Sequence, residues 1–147
     1  MKKDSDLKRI VWISAGAAIM GPKEYGIFWD HSTFENVPVK ERPWAPILYA
    51  QTKAANIFQA STWAAKNKNL VNEIGCVSTA CYPGIVQNGL QRKWIWVQNY
   101  TLGWFLRDTK LGAYSELYGA LSPDLTVKDI KVPVFIHLVK FVNLALI

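Results

Sequence analysis

The segment PILYAQTKAANIFQASTWAAK, residues 46–66, sets the period of the chain. Ile47, Ala50, Ala54, Ile57, Phe58 and Ala65 recur in it at steps of three and four, which draws one apolar stripe down a helix. Pro46 suits a helix start, where the N–H that proline lacks would have no partner anyway. The polar AKNKN, residues 65–69, closes the helix. Tyr49 and Lys53 stand four apart within it, on the same face and one turn from each other.

Upstream, RIVWIS at residues 9–14 is short, rich in β-branched side chains and stopped by Ala15 and Gly16. It reads as a buried strand of a parallel sheet. Residues 16–44 are polar, contain proline and are too long for a simple connection, so they carry function or local structure of their own. Downstream, GCVSTACY at 75–82 is a second short apolar strand, closed by Pro83 and Gly84. Strand, helix and strand in that order make a βαβ unit, hence an α/β fold with a parallel sheet. After a loop come an aromatic-rich helix over 93–106 and a further helix over 110–121, which stops at Ser122 and Pro123.

The chain's 147 residues suffice for one domain with a core of its own. Half of them are hydrophobic and 19% charged, a balance that excludes a disordered chain. The net charge of +6 comes from scattered lysines and arginines, among them Lys2, Lys8, Arg9, Lys40, Arg42, Lys66, Lys68 and Arg92. A nucleic-acid binder gathers such residues into a stripe with exposed aromatics, so solvated charge is the reading here. An anionic phosphate ligand stays compatible with it.

The two cysteines, Cys76 and Cys81, lie five apart on the second strand. That places them roughly 16 Å from each other on opposite faces, beyond disulfide reach. They read as buried reduced thiols of an intracellular protein. The opening MKKDSDLKRIVWIS has charges where a signal peptide would be apolar. The closing VPVFIHLVKFVNLALI, residues 132–147, is apolar but short for a membrane span and is interrupted by His137 and Lys140. It reads as a buried helix or strand, with a membrane-peripheral anchor as the alternative.

The Tyr49–Lys53 pair has a chemical use. An ammonium beside a phenol favours the phenolate and draws its pKa down from about 10. The tyrosine then exchanges a proton with a substrate oxygen. The spacing alone is weak: 6 tyrosines and 13 lysines give roughly one half of a chance Tyr-x-x-x-Lys match. The bland alternative is an exposed lysine beside a half-buried tyrosine.

Order adds what spacing lacks. A strand ending in RIVWIS, a long insertion containing FWDHSTFENV, YAQTKAAN on a helix and a strand ending in YPG together resemble the short-chain dehydrogenase/reductase family. The likeness is greatest to its fungal and retinol-dehydrogenase-like branch, and LGAYSELYGALSPDLT at 111–126 extends it. The resemblance implies a Rossmann-like parallel sheet and an oxidoreductase that uses NADP or NAD on a small alcohol or carbonyl. It implies that Tyr49 is the catalytic acid/base and that Lys53 binds the nicotinamide ribose and depresses the tyrosine's pKa. Pro83, Gly84, Ile85 and Val86 would form a backbone ledge beside the nicotinamide. Trp94, Trp96, Trp104 and Phe105 would form a lid over the substrate, or else core.

Several positions depart from the family's pattern. Its second serine, which polarises the substrate carbonyl, falls at Ala15, and Ser14 would replace it only after a shift of one residue. Losing such a donor costs on the order of 100-fold in rate. The family's threonine after Pro-Gly falls at Asn88, which still hydrogen-bonds. None of the nine glycines forms a GxG, so the chain has no dinucleotide fingerprint. Residues 1–128 therefore read as the C-terminal half of such a domain. Residues 129–147 read as a divergent tail, produced by a frameshift near Lys131 that the coding DNA would test. An isolated half sheet exposes a strand edge, which predicts poor solubility, self-association or pairing with a related chain. Two functional expectations follow: an oxidoreductase that acts with a cofactor-binding half, or a non-enzymatic remnant that works as an interaction module.

Overall fold

The structure is a computed structural model and describes residues 8–23, 25–87, 106–125 and 135–137. Its sheet holds three parallel strands in the order β1-β2-β3: β1 Lys8–Ile13, β2 Cys76–Tyr82 and β3 Phe135–His137. Helices α1 (Ala45–Lys66) and α2 (Lys68–Ile74) lie between β1 and β2, and α3 (Thr109–Leu121) lies between β2 and β3. Parallel neighbours need such crossovers, because a hairpin turn reverses the chain. The α/β class and the partial Rossmann-like sheet are as the sequence predicts.

Burial follows from position in the sheet. β2 has a strand on each side, and its residues from Cys76 to Cys81 are all buried. β1 pairs with β2 along one edge only among the described residues, and none of its side chains is fully buried. On one face, Trp12 Nε1 donates to Ser78 Oγ at 3.0 Å and Ser78 Oγ donates to the Ala60 carbonyl at 2.9 Å, so α1 covers this side. On the other, Val11, Ile13 and Cys81 pack with Tyr118 of α3 and Leu125 just beyond it. α1 turns Ala50, Ala54, Ala60 and Ala64 inward. With so little side chain between them, its backbone comes close enough to the strands for hydrogen bonds.

The strands and long helices lie within a residue or two of their predicted bounds, and α2 is the addition. AKNKN does end α1, with Asn67 Nδ2 donating to the Trp63 carbonyl at 2.8 Å. The chain then re-enters a helix instead of remaining a connection. α2 stops at Gly75, whose φ of 66° is left-handed and open to glycine without strain. The Gly75 carbonyl accepts from the Lys8 N–H at 2.8 Å, so this cap also starts the β1–β2 ladder.

The long segment 16–44 contains 3-10 turns at Gly16–Met20 and Val39–Glu41. It is fastened to α1 by Gln51, which is buried. Gln51 Oε1 accepts from the Phe28 N–H at 2.8 Å and Nε2 donates to the Ser32 carbonyl at 2.7 Å. Cys76 and Cys81 are both buried and unbridged, as their spacing requires. The apolar tail contributes β3, and its remaining residues lie outside the described ones, as do most of the aromatic helix expected over 93–106. Among the described residues no helix is long and apolar enough to cross a membrane.

Candidate active site

The candidate residues gather at the carboxyl ends of β1 and β2, where open parallel sheets leave a crevice for ligands. Ile13 ends β1, and its carbonyl points at α1. It accepts from Lys53 Nζ at 3.0 Å and from Asn56 Nδ2 at 2.7 Å. The next residue returns the contact, with Ser14 Oγ donating to the Lys53 carbonyl at 2.7 Å. Strand end and helix are thus clamped from both sides around Lys53. Asn56 was not read from the sequence, although its place three residues after Lys53 puts it on the same helix face.

Tyr49 lies one turn before Lys53, half-exposed, with Lys53 Nζ 5.7 Å from the centre of its ring. The expected electrostatics of this pair is overturned. Burial holds the Tyr49 phenol above its ordinary value. The reason is geometric: the ammonium bonds Ile13 and sits over the ring, a cation–π placement. At neutral pH, Tyr49 therefore carries its proton.

Ser14 is 1% exposed and its hydroxyl is committed to Lys53, so it faces the helix rather than the crevice. It does not take the place of Ala15, whose side chain has no hydroxyl. The ledge Pro83, Gly84, Ile85 and Val86 leaves β2 at the same end of the sheet. Gly84 turns with φ 87°, and Ile85 is half-exposed. Behind them Arg107 N–H donates to the Ile85 carbonyl at 2.8 Å and Gln87 N–H to the Arg107 carbonyl at 3.0 Å. Asp108 then caps α3 through the Lys110 N–H at 2.8 Å, so the ledge is tied to a helix start. Asn88 and the lid residues Trp94, Trp96, Trp104 and Phe105 lie outside the described residues.

Tyr82, the last residue of β2, also belongs to this region and was not singled out from the sequence. Burial pushes its phenol up, and the charge of an ionised Tyr49 pushes it further. On the opposite face of β2, Cys81 is fully buried and its thiol is pushed up to about 11 by burial, with a smaller push from Glu116 opposed by Lys53.

Comparison with known proteins finds similar chains. A short-chain dehydrogenase/reductase of Emericella nidulans is 29% identical over 120 residues, which is 82% of this chain and 36% of that protein. A short-chain dehydrogenase/reductase of Phomopsis amygdali is 28% identical over 127 residues, 86% of this chain and again 36% of that protein. The chain is related to the short-chain dehydrogenase/reductases. It spans about a third of the length of these curated relatives. No protein-family model matches it, and no solved structure does.

Proposed function

We propose that this chain carries the acid/base segment of an NADP(H)- or NAD(H)-dependent oxidoreductase acting on an alcohol or carbonyl. The observation that carries the proposal is the clamp at the end of β1, which fixes Lys53, one turn from Tyr49, at the carboxyl end of the sheet. One of the three hydrogen bonds comes from the Lys53 ammonium, one reaches its backbone carbonyl and one comes from Asn56 to the same strand end.

The residues fit one end of a nicotinamide dinucleotide. An ammonium has three donors, and Lys53 directs one to Ile13, which leaves others for ribose hydroxyls. The Pro83–Val86 turn offers the backbone ledge. The other end is not provided for: no GxG turn exists in the sequence to receive a pyrophosphate, so that seat has to come from a segment other than residues 1–147. When bound, the dinucleotide supplies or accepts the hydride.

The chain's own part is proton transfer. Tyr49, neutral at pH 7, is set to donate its phenolic proton to the oxygen of a carbonyl being reduced. The reverse direction, alcohol oxidation, needs the phenolate, whose share grows as pH rises. The absent hydroxyl at Ala15 predicts a slow enzyme, by about 100-fold.

A second reading rests on β1. Its outer edge has no strand beside it among the described residues, and an edge of this kind is a template for another chain. In that reading the chain is a non-enzymatic interaction module, pairing with a copy of itself or with a full-length relative. Titration of the purified chain with NADPH and NADH, followed by tryptophan fluorescence with light scattering in parallel, separates the two. Saturable micromolar binding, with turnover of aldehydes lost in Tyr49→Phe, supports the oxidoreductase. Scattering that rises with concentration while neither nucleotide binds, even when a segment that carries the pyrophosphate turn is supplied, supports the module and overturns the first proposal.

A further inference from the structure

Beside α1 the structure has an apolar groove, open to solvent, of about 370 Å³. Trp12 of β1 lines it, with Trp29 from the segment 16–44 and Ala55, Phe58, Thr62 and Trp63 from one flank of α1. We propose that this groove seats an amphipathic helix of the cofactor-binding segment, the helix that leads into the strand edge at β1. The inference rests on the oxidoreductase reading above, which needs a second segment to receive the pyrophosphate.

Shape comes first. Lining residues 55, 58, 62, 63 and 66 fall at helical steps along α1, over roughly three turns or about 17 Å. A flank of that kind offers ridges and grooves for a second helix. It is also apolar and uncovered. Trp29 is 60% exposed and Phe58 38%, with their ring centres 6.3 Å apart. Lys66 is the one charged residue among those described in the lining, so an acidic side chain on the incoming helix would complement it. Position decides the occupant. Trp12 belongs to β1, whose outer edge has no strand beside it among the described residues, and no described residue of β2 lines the groove. A strand added parallel to β1 reaches it through a crossover, usually a helix, and parallel sheets are covered on both faces. On the other face Val11 and Ile13 already pack with Tyr118 and Leu125. The side left for the crossover helix is that of Trp12. This chain spans about a third of its curated relatives, which therefore have the length to supply such a helix. A small molecule fits less well, because its sites enclose most of the ligand and this groove lies open.

The experiment fuses this full chain behind the part of the Emericella nidulans relative that precedes the matched segment, and separately behind the same part of the Phomopsis amygdali relative. Maleimide labelling of Thr62→Cys reports on the groove. Val39→Cys, exposed and outside the lining, is the control, and the native Cys76 and Cys81 are buried. Labelling of Thr62→Cys is expected to slow at least about tenfold in the fused proteins relative to the chain alone, while Val39→Cys reacts equally fast in both. NADPH titration of the same proteins tests the oxidoreductase reading separately. Equal labelling at 62 in a fused protein that binds NADPH overturns this inference alone; equal labelling without binding overturns both. Slowed labelling without NADPH binding upholds the docking and counts against the oxidoreductase. In the chain alone, labelling at 62 that slows as concentration rises would mean a second copy fills the groove, and would overturn the inference. Fused proteins that aggregate with both relatives' segments would overturn it as well, because a filled groove removes the exposed apolar face.

Discussion

The Ile13 carbonyl offers a direct test of how the candidate site is held. It accepts from Lys53 Nζ at 3.0 Å and from Asn56 Nδ2 at 2.7 Å. A carbonyl has two lone pairs, so either donor alone keeps it satisfied. Lys53→Met removes one charge-assisted bond from a half-buried place without orphaning the acceptor, a loss of about 1 kcal/mol once solvent screening is allowed for. Asn56→Ala removes a neutral bond, again about 1 kcal/mol. Together they strip the carbonyl of both donors, and leaving a partly buried acceptor unmet adds about 1 kcal/mol more. The double variant should therefore lose about 3 kcal/mol where simple addition gives about 2. Urea denaturation followed by tryptophan fluorescence measures this, with all four proteins at one concentration and their slopes compared. Additivity within about 0.3 kcal/mol would refute the convergent clamp, because independent sites add to about that precision. The same cycle read through NADPH binding asks a separate question: Lys53→Met should weaken it and Asn56→Ala should do so less, since only the lysine has donors to offer a ribose.

Three further outcomes are expected. Ser78→Ala cuts the ties from Trp12 to β2 and from β2 to α1, two hydrogen bonds worth about 1–3 kcal/mol together, and a denaturation midpoint unchanged from the parent would contradict that. Cys81 has a folded pKa of about 11 above the unfolded value of 9.0, so its contribution to stability is whole below 9.0 and is lost as pH rises through 11. Urea midpoints should fall across that window, and Cys81→Ala should flatten the fall; an equal slope in both proteins would place the effect on Tyr49 and Tyr82, whose raised values act with the same sign. Finally, the outer edge of β1 should make the chain self-associate, so sedimentation over a range of concentrations should show a rising mean mass, whereas a monodisperse monomer with a sharp unfolding transition would contradict it.

What the sequence revealed of the fold was whatever repeats along the chain. The stripe through Ile47, Ala50, Ala54 and Ile57 marks α1, and the apolar runs at RIVWIS and GCVSTACY mark β1 and β2, because buried elements write their period into the residues they bury. α2 was missed for the complementary reason. KNLVNEI is short and mostly polar, and it is helical because Asn67 restarts the chain after α1 and Gly75 can end it left-handed, neither of which is periodic. β3 is three residues of an apolar tail, too few to show alternation.

The site divides along the same line. Tyr49 and Lys53 are neighbours within one helix, so their spacing alone places them together. Tyr82 and Asn56 are recognised only through contacts across 33 or more residues, Tyr82 through Gly16 and Tyr49, and Asn56 through Ile13. The pKa of Tyr49 shows why spacing is an incomplete guide to chemistry. The rule that a lysine one turn away lowers a tyrosine presumes that the ammonium stays beside the hydroxyl. Here the end of β1 claims it, and a carbonyl 40 residues away in sequence decides the matter. The consequence is a phenol that keeps its proton at neutral pH, which no motif in the chain records. A nucleotide ribose competing with Ile13 for the same ammonium is then the event that would move Lys53, and tyrosine titration with and without bound NADPH would register it as a fall in the Tyr49 pKa.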